Sequence, residues 1–165
     1  MKKLMMAAIG LMMAMSANAQ YLNESGKVFS QDKWYLGVST SGLDLNWNKI
    51  SKWSLNLQAK GGYLFADDWM VLGNIGWETQ ADAPNFFNAG AGIRYYIESC
   101  GIYAGLIGNY MHYDDWNEFR PEVHVGYAYF LTGKLTIEPE IYYQQTTKSG
   151  GSSGIGLRVG FGVFF

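Results

Sequence analysis

Ile155-Gly156-Leu157-Arg158-Val159-Gly160-Phe161-Gly162-Val163-Phe164-Phe165 is the stretch that decides the fold of this chain. Large apolar side chains fill every second position: Ile155, Leu157, Val159, Phe161, Val163 and Phe165. Between them stand Gly156, Arg158, Gly160, Gly162 and Phe164. In a strand, alternate side chains point to opposite faces. One face of this stretch is oily from end to end, and the other is nearly bare apart from one charge. A strand with hydrocarbon on one side and a narrow polar lumen on the other requires that pattern.

The same alternation recurs along the chain. Trp53, Leu55, Leu57, Ala59, Gly61, Tyr63 and Phe65 share one face, and Asn56, Gln58, Lys60, Gly62 and Leu64 the other. Trp69 to Trp77, Phe87 to Ile97 and Ile102 to Tyr110 repeat it. A sixth segment sets Val123, Val125, Tyr127 and Tyr129 outward, and a seventh Leu135, Ile137, Pro139, Ile141 and Tyr143. The first segment, from Trp34, changes phase between Thr40 and Leu43, which a bulge at Ser41-Gly42 would absorb. Eight strands result. The turns at 66–68, 98–101 and 131–134 are short, and the connections at 46–52, 79–86, 113–118 and 146–153 mostly longer. The expected fold is all-β: an eight-stranded antiparallel up-and-down transmembrane β-barrel over 34–165.

The N-terminus points the same way. Lys2 and Lys3 precede an apolar run over 4–15, and Ala17-Asn18-Ala19 follows. A signal peptide over 1–19 is expected, with a polar, irregular extension over 20–33 before the barrel. After Ala19 no apolar stretch is long enough for a membrane helix. Taking Lys2 and Lys3 from the 12 basic residues leaves 10 against 14 acidic, a formal charge of −4, which argues against nucleic acid as a partner. Cys100 is the single cysteine, so an exported chain has no internal disulfide.

The rival fold is a soluble secreted barrel with its faces exchanged. Three features oppose it. The polar face is rich in glycine (Gly62, Gly76, Gly90, Gly92, Gly105, Gly126, Gly156, Gly160 and Gly162), which weakens a water-facing sheet but makes room in a narrow lumen. Aromatics gather at both ends of the strands, as in interfacial girdles. The charges Lys60, Glu78, Arg94, Glu122, Glu138, Glu140 and Arg158 all fall on the other face.

These residues carry a resemblance. The signal peptide, the eight alternating segments and a final strand ending in Phe165 resemble the small outer-membrane barrels of the OmpA/OmpX-like class. The resemblance implies export to the outer membrane, contact with its lipid and lipopolysaccharide, and a monomer. It also implies folding by the barrel-assembly machinery, with Phe161, Val163 and Phe165 as the C-terminal signal. The chain departs from larger members by stopping at the barrel, without a peptidoglycan-binding domain.

Charges inside a narrow lumen must find partners. Closing the loop at 146–153 symmetrically sets Gln145 near Gly154 and Glu140 almost across from Arg158, which predicts an ion pair. Lys60 should face Asn74, Arg94 and Glu138 should lie toward the short turns, and Glu122 with His124 higher. This network (Lys60, Glu78, Arg94, Glu122, His124, Glu138, Glu140, Arg158) is the candidate site, with the lumen plugged by side chains. A narrow porin-like channel is the alternative. Enzyme activity is not expected: no serine stands at a persuasive spacing from His112 or His124, and no nucleophile elbow is present. No cofactor and no metal are expected. Trp116, Phe119, Phe86 and several acids in the long loops offer a surface for interaction.

Overall fold

The computed structural model describes residues 28–43, 54–80, 83–113, 116–147 and 153–165. The expected signal peptide, the extension up to residue 27, the connection at 46–52 and Trp53 lie outside the described residues. Nine segments form one sheet: β1 (Trp34–Leu43), β2 (Ser54–Ala66), β3 (Trp69–Gln80), β4 (Ala83–Ile97), β5 (Ile102–Tyr113), β6 (Trp116–Tyr127), β7 (Tyr129–Phe130), β8 (Leu135–Gln144) and β9 (Gly154–Phe164). β6 and β7 are one strand interrupted at Ala128, so the sheet has eight staves. Each pairs antiparallel with its sequence neighbour. β1 pairs with β9 and β6 with β8, which closes the sheet into a barrel without helices among the described residues.

Period-two patterning fixes the two faces, because any one-residue slip would exchange them. Outward positions hold exposed Leu36, Leu57, Ile75, Leu106, Val123 and Ile155, none of them covered by the protein. Inward positions hold the buried polar set, including Lys60, Arg94, Glu122, Glu138, Glu140 and Arg158. The molecule is oily outside and polar inside, the reverse of a water-soluble fold.

The register agrees with the expected bulge: β1 slips against β9 between Thr40 and Leu43. Other expectations need correction. The connections at 79–86 and 113–118 are mostly strand, since β3 reaches Gln80, β4 starts at Ala83, β5 ends at Tyr113 and β6 starts at Trp116. Their aromatic and β-branched residues favour the extended backbone. Pro84 fits because the β3–β4 ladder is irregular between Glu78 and Gln80. Phe86, Trp116 and Phe119 therefore belong to strands, not loops. Tyr127 is buried, not outward. It stands at the break in the sixth stave, where the Ala128 N–H turns away to donate to Gly101 O at 2.8 Å.

Residues 28–33 are no free extension. Phe29 is 1% exposed and stacks on Tyr96, ring centres 4.1 Å apart, with its edge toward Phe164 at 5.6 Å. The Asp68 N–H donates to Phe29 O at 2.8 Å, the Gln31 N–H to Asp67 Oδ1 at 2.9 Å, and the Lys33 ammonium to Val28 O at 3.0 Å. Asp32, at φ 68°, reverses the chain into β1 and accepts the Tyr63 hydroxyl at 2.6 Å. The segment folds back into the short-turn mouth because Phe29 has an apolar socket there.

Candidate functional site

The lumen is built in three tiers. At the short-turn end Phe29 packs on Tyr96, Phe130 and Phe164, in a buried apolar cluster that continues through Tyr35, Leu64, Met70, Leu72, Tyr103 and Ile107. Glycines on neighbouring strands admit these rings. A Cβ at Gly126 would collide with Tyr103, one at Gly162 with Tyr35, and one at Gly156 with Tyr142. The lumen glycines thus house tyrosines that lie flat across the next strand.

The middle tier carries the charges. Glu140 on β8 faces Arg158 on β9 directly, and Gln144, not Gln145, faces Gly154, one residue from the symmetric closure. Arg158 donates from Nε to Glu140 Oε1 at 2.6 Å, from one terminal nitrogen to Glu122 Oε1 at 2.5 Å and from the other to Gln58 Oε1 at 3.0 Å. Arg94 spans Glu138 and Glu140, each at 3.2 Å. Lys60 faces Asn74 in register and approaches Glu140 at 3.4 Å. Glu140 thus meets three cations and also accepts the Tyr103 hydroxyl at 3.0 Å. Glu138 accepts Tyr35 and Thr136 hydroxyls, both at 2.9 Å.

Three cations (Lys60, Arg94, Arg158) balance three carboxylates (Glu122, Glu138, Glu140), all buried. Cation–π contacts add to this: Arg94 lies 4.1 Å above the Tyr103 ring and Arg158 4.5 Å above Tyr142. A buried charge that lost its partner would cost about 3–5 kcal/mol. The ladder therefore holds five strands, β2, β4, β6, β8 and β9, in one arrangement.

The outer tier is made of amides. Asn74 donates to Asn109 at 3.1 Å, Asn109 to Glu122 at 3.3 Å, and Gln144 to Glu122 at 2.7 Å. Arg120 donates to Glu118 at 2.9 Å. Ser39 Oγ, Asn74 Oδ1 and Asn88 Oδ1 have no hydrogen-bond partner in the protein, and neither do Arg94 Nε and the two ring nitrogens of His124 in the middle tier.

Of the expected site residues, the structure gathers Lys60, Arg94, Glu122, His124, Glu138, Glu140 and Arg158 in the middle tier. Glu78 sits on β3 opposite Asn56 and Phe86, and its side chain falls outside the described residues. Sequence reasoning missed Phe29, Tyr35 and Tyr103. The Val28-Phe29 pair, two apolar residues in a polar stretch, was the available signal for the first. His112 lies at the outer edge of β5, 2.6 Å from Asn117. His124 lies 3.6 Å from Glu122. Glu122, His124 and Glu140 together have the donor set of a metal site. Arg158 already bridges the two carboxylates, so its guanidinium stands in the cation's place and the residues do not suit a metal.

No known family profile matches the chain, and no curated protein sequence matches it. Solved structures do match. The N-terminal β-barrel domain of Pseudomonas aeruginosa OprF is 14% identical, with a TM-score of 0.61, over 82% of this chain and 98% of that one. Neisserial surface protein A is 14% identical, with a TM-score of 0.58, over 81% and 97%. Yersinia pestis outer membrane protein Ail in a phospholipid nanodisc is 13% identical, with a TM-score of 0.55, over 82% and 100%. The fold is that of the small OmpA/OmpX-like outer-membrane barrels. The barrel closes along the strand that ends beside Phe165. Here β9 pairs with β1, and Trp34 and Phe165 exchange backbone hydrogen bonds of 2.8 and 3.0 Å. Phe161, Val163 and Phe165 point outward, while Phe164 turns inward onto Phe29.

Proposed function

We propose that this chain is an integral protein of the bacterial outer membrane, a monomer with a closed lumen. It serves as a structural element and a scaffold for surface contacts, without cofactor or catalysis. Outer-membrane lipid and lipopolysaccharide are its surroundings. The barrel-assembly machinery inserts it, reading Phe161, Val163 and Phe165 on the final strand. The exposed apolar belt supports membrane residence, and the likeness to OprF, NspA and Ail supports the outer membrane in particular.

The observation that carries the closed lumen is the pairing of two seals. The aromatic tier around Phe29 blocks the short-turn mouth, and the balanced ion ladder blocks the middle. A small barrel has room for side chains and little else. Planar-bilayer recording on the refolded mature protein tests this. No steady conductance is expected. Sustained single-channel steps in the wild type would replace a plugged barrel with a narrow porin.

A further inference from the structure

The outer wall is not evenly covered. Across β5, β6 and β8 runs a groove of about 410 Å³, walled by Leu106, Gly108, Phe119, Pro121, Val123 and Tyr143. Two residues create it. Gly108 has no side chain, and the Phe119 ring of the neighbouring strand lies directly over it, where a Cβ at 108 would come within 2.8 Å of the ring. Pro121 stands directly opposite Gly108. Its compact ring adds little bulk, and it has no N–H to give. The Gln145 N–H donates to Pro121 O at 2.9 Å, but no bond returns. The β6–β8 ladder starts one residue further on, at Glu122 and Gln144. The furrow thus follows the place where the wall pairing stops.

We propose that this groove binds one acyl chain of a lipid from the leaflet at the loop end of the barrel. The inference rests on the membrane reading above. Three observations select that occupant. The groove is continuous with the apolar belt, since Leu106, Val123 and Tyr143 on its rims are themselves exposed. Glu122 is the one charged residue among those lining it. Its carboxylate turns inward to Arg158. At the loop end its character changes: Gln145 accepts the Tyr143 hydroxyl at 2.5 Å, and Thr147 donates to Phe119 O at 2.6 Å. An apolar channel capped by amide and hydroxyl groups fits an amphiphile lying along the barrel, chain inward and headgroup toward the loops.

Native mass spectrometry of the refolded mature protein, in lipid-free detergent with added palmitoyl-oleoyl-phosphatidylethanolamine, tests the assignment. The wild type should hold a single lipid that survives collisional removal of the micelle. Gly108→Leu displaces the Phe119 ring into the groove and should lower the retained fraction at least about ten-fold, as expected when roughly two methylene contacts are lost. Ala59→Leu, which adds the same side chain outward on β2, should leave retention unchanged. Val123→Trp fills the groove from the other strand and decides the matter if Gly108→Leu does not fold. Equal retention in wild type and groove-filled proteins, or no single-lipid adduct in the wild type, overturns the site. A wild type that is monodisperse without detergent overturns the membrane reading itself, a distinguishable failure.

Discussion

Phe29 makes contacts that belong to a core residue, although it precedes the first strand. It stacks on Tyr96, meets Phe164 and Phe130, and its carbonyl caps the turn at Asp68. Truncating a buried phenylalanine to alanine costs about 3–5 kcal/mol, the upper end applying where the site cannot collapse. Strands surround this site, so collapse is limited. Phe29→Ala should lower the urea midpoint by that order and, unlike a mere loss of stability, raise brief conductance events in bilayers. An unchanged midpoint with an unchanged current record would mean that the segment is not a seal. Arg158 is the second decisive residue. Arg158→Leu leaves Glu122 and Glu140 short of their shared cation and should cost about 3–5 kcal/mol. Lys60 and Arg94 still neutralise Glu140, so most of the penalty falls on Glu122. Combining Arg158→Leu with Glu122→Gln should recover part of the loss, which a double-mutant cycle in urea would measure.

At the scale of the strand, the alternating pattern was legible because the two solvents differ so sharply. Lipid demands apolar outward positions, and the charges borne by the described strands face the lumen. The β1 bulge was legible from the phase change at Thr40, and Glu140 lay within one residue of its observed place from loop closure alone. Three things were not legible. Strand ends at 79–86 and 113–118 carry polar residues that fit a loop equally well. Tyr127 follows the outward pattern and is buried only because the ladder breaks at the next residue. The socket for Phe29 is assembled from β1, β4, β7 and β9, so no local sequence window contains it. Pro121 gives the test at this scale. Pro121→Ala restores an N–H to the β6–β8 seam, a gain of about 0.5–1.5 kcal/mol. It also frees the unfolded chain, a loss of about 0.4–1 kcal/mol. The two nearly cancel, so the urea midpoint should barely move. Hydrogen exchange at Gln145 should slow instead, because its N–H then sits in a completed pair of bonds. Faster exchange there would mean that the seam is not limited by the missing donor.

For the whole molecule, the central question is whether the ion ladder sees bulk water. Its three cations and three carboxylates are almost wholly inaccessible, with the aromatic tier below and the amide tier above. Mobile ions screen exposed charges over roughly 8 Å at physiological ionic strength, but they act only where they can enter. A ladder lining an open pore would be weakened as salt rises, since its pairs would behave like surface ion pairs of about 0–1 kcal/mol. A ladder enclosed by side chains keeps its Coulombic attraction, because the ions that would screen it are excluded. The urea midpoint of the wild type should therefore stay constant between low and high sodium chloride. The Phe29→Ala protein, with its short-turn seal removed, should become salt-sensitive. A wild-type midpoint that falls steeply with salt would mean that electrolyte reaches Glu140 and Arg158 and that the two seals do not enclose the ladder.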